Sequence, residues 1–197
     1  MEADWEVEMG PDAPIIDATW PGYIDLAREP HRVREIAETS SLQPLSDALI
    51  LLNGQVDANP GMPIRTLKCD LWPTNDLDPD EMEAIDCAVG IACYIDLLPR
   101  PVETFFSLSS AELWVRRLVP LIRNVPCPSS RVDLIIRQAI GLHTEGCGIT
   151  AYLCGCGTTL DHAHESLGNA LRVFATTVTT GGSATVIPSP SIRKAIQ

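Results

Sequence analysis

The sequence predicts an α+β domain in which a strand-strand-helix unit occurs twice. The product is a four-stranded antiparallel sheet with two helices on one face, preceded by a short-helix N-terminal extension. Three observations lead there. Gly90-Ile91-Ala92-Cys93-Tyr94-Ile95 matches Gly148-Ile149-Thr150-Ala151-Tyr152-Leu153 at an offset of 58 residues. Four segments alternate apolar and polar residues, the period of a half-buried strand. Two segments place apolar residues three and four apart, the period of a core-facing helix. Residues 1–63 are then the N-terminal extension, packed on the main domain; 64–182 form the duplicated domain and 183–197 a C-terminal tail.

Along the chain, residues 1–26 mix acids, prolines and aromatics, with a short strand at Ala13–Asp17 before the Trp20-Pro21-Gly22 turn. Two short helices follow, Pro30–Glu38 and Pro44–Leu52, the second closed by Asn53-Gly54, residues that tolerate a left-handed helix end. Residues 55–63 read as a loop. In Arg65–Trp72 the residues Leu67, Cys69 and Leu71 point inward, and Thr66, Lys68, Asp70 and Trp72 outward. Asp78-Pro79 opens a short helix, with Asp78 as cap. Val89–Leu98 turns Ile91, Cys93, Ile95 and Leu97 inward, and a helix capped by Ser109 or Ser110 runs to Arg123, with Pro120 expected to kink or shorten it.

The second unit repeats the pattern. Arg131–Ala139 turns Val132, Leu134 and Ile136 inward, and Cys147–Cys154 turns Ile149, Ala151 and Leu153 inward. Leu160, Ala163, Leu167, Leu171, Phe174 and Val178 make the stripe of the last helix, which Gly181-Gly182 ends. A last strand at Ala184–Ile187 or a mobile end completes the chain.

Composition narrows the function classes. The 197 residues suffice for one domain with a proper core, and 45% of them are hydrophobic at a mean hydropathy near zero. No apolar run approaches the roughly 18–20 residues that cross a bilayer. The acidic N-terminus is unlike a signal peptide, so a cytoplasmic protein with reduced thiols is expected from its seven cysteines. The net charge is −12, and residues 1–100 carry 20 acids against 6 bases. Such a surface repels nucleic acid and anionic lipid.

The sheet face away from the helices is the candidate site. Alternation places Lys68, Asp70, Trp72, Tyr94, Asp96, Arg131, Asp133, Arg137, Thr150 and Tyr152 there, with Tyr94 and Tyr152 in equivalent positions. Aromatic rings among carboxylates and cations can stack on a planar ligand or supply an acid and a base. Cross-strand charge pairs, or a face covered by the N-terminal segment, explain the same residues without a site.

Other motifs have structural explanations. Cys154-Gly155-Cys156-Gly157-Thr158-Thr159 could bind an anion at a helix start, but it lacks the P-loop lysine, and Thr158 with Asp161 makes a capping box. Cys154, Cys156, His162 and His164 suggest zinc, yet two histidines two apart on a helix diverge by about 200°. A nucleophilic Cys156 with His164 as base lacks an orienting third residue. In the acidic run Asp76–Glu83, Glu81 stands where a calcium loop needs glycine, and a helix start enriched in acids accounts for the run. No metal and no cofactor are expected.

The function expected is that of a non-catalytic binding protein whose open sheet face meets a protein or small-molecule partner, with homo-oligomer formation left open. The alternative is a small hydrolase or transferase using the open-face carboxylates or the Cys154/Cys156–His164 region.

Overall fold

The computed structural model describes residues 1–54, 63–75, 87–101 and 104–181. Its strands are β1 (Glu2–Glu8), β2 (Ile16–Asp17), β3 (Ile64–Thr74), β4 (Val89–Pro99), β5 (Ser130–Ile140) and β6 (Glu145–Gly157). Its α-helices are α1 (Gln43–Asn53), α2 (Leu108–Arg123) and α3 (Leu160–Thr180). The expected helix at 30–38 is instead a pair of 3-10 turns, Pro30–Glu35 and Ala37–Ser40.

The expected four-stranded antiparallel sheet is overturned: the sheet has six strands and is mixed. Its order is β1-β5-β6-β4-β3, and β2 continues the β1 edge by pairing with the end of β5. β1 and β2 run parallel to β5, whereas β3–β4, β4–β6 and β5–β6 are antiparallel. The extra strand has a local cause. Glu2-Ala3-Asp4-Trp5-Glu6-Val7-Glu8 alternates acid and apolar residue throughout, the pattern of an edge strand with one wet face. Parallel pairing needs a crossover, and more than 100 residues separate β1 from β5.

All three α-helices pack on one face. Cys93, Ile95, Leu97, Leu134, Ile136, Ile149, Ala151 and Leu153 are completely buried beneath them. On that side α2 fastens β1: Arg123 Nε donates to the Ala3 carbonyl at 2.6 Å, and Arg116 lies 5.2 Å over the Trp5 ring. Helix α2 runs through Pro120 to Arg123, because Pro120 is exposed near the last turn. Its cap is Ser107, whose hydroxyl accepts from the Ser110 N–H.

Several boundaries differ from expectation for identifiable reasons. Thr159, not Thr158, caps α3 by accepting from the His162 N–H, while the Thr158 hydroxyl faces His162 Nδ1 at 2.9 Å. Leu160, half exposed, falls outside the apolar stripe, and Gly181 ends the helix in the left-handed conformation. Gly54 is right-handed, so α1 ends without the expected left-handed cap; the Asn53 side chain bonds instead to Leu49 and Thr66.

A bulge in β3 changes one face assignment. Thr66 opposes Leu97 and Cys69 opposes Ile95, so Leu67 and Lys68 together oppose Asp96. Thr66 therefore turns to the helix side, where its N–H bonds to Asn53, and Leu67 turns to the opposite side. The expected inward Leu67 and outward Thr66 are reversed, because an extra residue shifts the alternation by one. The expected helix at Asp78, the acidic run at 76–83, the loop at 55–62 and the strand at 184–187 lie outside the described residues. Among the described residues no helix is long and apolar enough to cross a membrane.

Candidate functional site

The sheet face away from the helices is built in cross-strand rows. One row reads Asp70–Tyr94–Tyr152–Asp133–Asp4 across β3, β4, β6, β5 and β1. Below it run Asp96–Thr150–Ile135–Glu6, and above it Trp72–Ala92–Cys154–Arg131–Glu2. The ten candidate residues expected on this face are there, whereas Thr66, also expected to point outward, is not. Ala92 is small, so the Trp72 indole reaches past it to both tyrosines. The centroids are 6.1 Å apart for Trp72–Tyr94, 6.4 Å for Trp72–Tyr152 and 5.9 Å for Tyr94–Tyr152. These are tilted and edge-on contacts, the favoured geometries of aromatic rings.

Half of this face is covered by a strap, residues 13–24, which crosses from the β5 edge to the β3 edge. Ile16, Leu67, Leu98 and Ala139 form a second small core under it, with Tyr23 and Phe105 packed alongside. A β-carbon at position 148 would stand 2.7 Å from Ile16 Cδ1 and 2.8 Å from Leu98 Cδ2, so the glycine of the repeat admits the strap. The Ala18 N–H bonds to Ile140 O at 2.8 Å. At the far edge two cations hold the strap's aromatics: Lys68 Nζ is 5.9 Å from the Trp20 ring, and the Arg65 guanidinium is 5.3 Å from the Tyr23 ring. Arg65 is completely buried, its Nε donating to Pro99 O at 3.4 Å, and among the described residues its terminal nitrogens have no acceptor.

Between strap and sheet lies a cavity of about 320 Å³ lined by Asp17, Trp20, Lys68, Tyr94, Asp96, Arg137 and Tyr152, with Pro14–Ile16 as roof. The uncovered half holds a wider groove of about 610 Å³, bounded by Asp4, Glu6, Trp72, Arg131, Asp133 and Tyr152. A third depression of about 230 Å³ takes in Asp70, Cys69 and Leu67 at the β3 edge. Asp70, Asp96 and Asp133 thus do not converge; each faces a different hollow.

The charged groups differ in how fully they are used. Arg137 donates from Nε (3.1 Å) and Nη2 (2.6 Å) to Glu8, and from Nη1 to the Tyr152 hydroxyl at 3.2 Å. Arg131 Nε donates to both carboxylate oxygens of Asp133, at 3.0 and 2.8 Å. Asp70 accepts from its neighbour's backbone N–H. The Tyr94 hydroxyl, followed by Asp96 and Asp70, holds the Lys68 ammonium above its usual value. Asp96 is only 9% exposed, and one of its oxygens accepts from the Thr150 hydroxyl at 2.6 Å. Among the described residues its other oxygen has no hydrogen-bond donor. Burial pushes the Asp96 carboxyl above the usual carboxylate range, and Thr150, Arg137 and Lys68 pull it part of the way back.

The cysteine-histidine region is packed rather than open. A β-carbon at Gly155 would stand 2.2 Å from Leu167 N, so the glycines of this strand let α3 approach. Burial pushes the Cys154 and Cys156 thiols up to about 12, as it does Cys69, which keeps them protonated at neutral pH. All seven cysteines are free. Among the described residues no three His, Cys, Asp or Glu side chains are grouped to hold a metal.

Sequence reasoning missed the strap residues Asp17 and Trp20, and the acids Asp4, Glu6 and Glu8. The alternation of residues 2–8 was the available signal for the acids. Nothing local marks Asp17 or Trp20, whose role depends on where the strap lands. The chain matches no protein-family model, no curated protein and no solved structure.

Proposed function

We propose that this chain is a non-catalytic binding protein that takes a small planar ligand between the strap and the sheet. The observation that carries the proposal is the cavity of about 320 Å³, which brings Trp20, Tyr94 and Tyr152 together around the buried Asp96. Binding sites are characteristically concave and aromatic, with a few placed polar groups. The catalytic alternative has less support: the three carboxylates face different hollows, and thiols with values near 12 are poor nucleophiles at neutral pH.

The four tryptophans provide the test. Trp20 lines the cavity, Trp72 and Trp5 border the open groove, and Trp114 packs on the helix side. Indole N–H resonances are followed while flat single-ring probes of positive, neutral and negative charge are added. A shift at Trp20 with at least one probe, and none at Trp114, is expected. A shift at Trp114 as well, or none at Trp20, would overturn the proposal.

A further inference from the structure

Resting on that reading, we infer that the ligand of the strap-covered cavity is a small planar organic cation with N–H donors, such as an amidinium, a guanidinium or an aromatic amine.

Charge balance points the same way as hydrogen bonding. Lys68 and Arg137 are the cations lining the cavity, and Asp17 and Asp96 the anions, with Glu8 bonded behind Arg137. Three carboxylates against two cations leave one negative charge uncompensated. A monocation neutralises the set, whereas an anion doubles the excess in a site partly shielded from water, where charge interactions are strongest.

The two carboxylates that line the cavity keep acceptor capacity to spare. Arg137 spends its Nε and both terminal nitrogens on Glu8 and Tyr152. Asp96 keeps one oxygen without a donor on a side chain nine-tenths buried and lining the cavity. One oxygen of Asp17 accepts from the N–H and the hydroxyl of Thr19, and its other oxygen is open to a donor on an exposed side chain that also lines the cavity. A flat N–H group entering the cavity can meet the second Asp96 oxygen with a charge-assisted bond. The walls suit the same ligand. Lys68 already lies 5.8 Å over the Tyr94 ring and Arg137 5.4 Å over that of Tyr152, so these rings sit in a setting that favours cations on their faces. The acidic surface adds long-range attraction for a cation.

Benzamidine, benzamide and benzoate share one shape and carry positive, zero and negative charge, so they separate the charge requirement from the fit. Each is titrated into the full-length protein and its affinity read from the Trp20 indole resonance. Benzamidine is expected to bind at least about tenfold more tightly than the other two, a difference of about 1.4 kcal/mol. Asp96→Asn is expected to erase that preference, and Asp17→Asn to reduce it about threefold, since its loss is nearer solvent. Equal binding of the three at Trp20, or a preference for benzoate, would overturn the cation assignment while leaving the cavity as a binding site. A benzamidine preference that survives both substitutions would overturn it too. No response at Trp20 from any of the three would sink the cavity reading together with this one.

Discussion

The two faces of the sheet use alternate residues of the same strands and meet different fates. On the helix side, β4, β5 and β6 present Ile95, Leu134, Ile136, Ile149 and Leu153, all completely buried under three helices. On the strap side the intervening residues include Tyr94, Asp96, Arg137 and Tyr152, and their cover is one extended segment. A helix layer lays down a continuous apolar stripe, which excludes water and fills space. An extended strap has few side chains and leaves gaps, so the second core stops at Ile16, Leu67, Leu98 and Ala139 and a cavity remains beside it. Stability is thus concentrated on one side, and room for a ligand on the other.

The largest effect that would sharpen this contrast is Leu153→Ala. Its side chain is completely buried under α3, so its loss should cost about 4 kcal/mol. For a chain of this size that is a fall in Tm of roughly 8–16 °C by thermal denaturation. A negligible fall would mean that the helix face is not the stabilising core.

Ile16→Ala tests the strap. The second core is small and lies at the sheet's edge, where neighbours can close in, so the loss should be near the low end for such a change, about 2 kcal/mol. Hydrogen exchange at the Ala18 amide, bonded to Ile140 O, should accelerate while amides in β6 stay protected. A loss as large as that of Leu153→Ala would erase the distinction between the faces.

The smallest effect depends on pH. The fold raises the Asp96 value above that of the unfolded chain, chiefly through burial. The stability associated with this group is therefore present in full below the unfolded value and lost as pH rises through the folded one. Asp96→Asn removes that loss. Its Tm should match the wild type at pH 3 and exceed it at pH 7, with Thr150 still donating to the amide oxygen. A variant less stable at pH 7 would show that the Asp96 charge holds the strap side together, and the cavity would then be a structural ion-pair site.

Much of the fold was legible because its signals are local. Tyr94 and Tyr152 share the face that alternation gave them, and α3 follows its stripe from Ala163 to Val178. The site was legible as a face and illegible as a cavity. Lys68, Asp96, Arg137 and the tyrosines follow from alternation, but Trp20 and Asp17 reach them across the strap, and no short-range pattern encodes that landing.

By itself the sequence determined four long strands and the short β2, the helices that cover the sheet and the polar character of the opposite face, since side-chain direction in a strand or helix follows from a fixed backbone period. Only the tertiary structure decided that β1 joins β5 in parallel, that a bulge turns Thr66 and Leu67 to opposite sides from those expected, and that the strap roofs Asp96. Those outcomes depend on which distant segments bury each other's surface and fill each other's space, a choice settled by packing across more than 100 residues of chain rather than by any one segment.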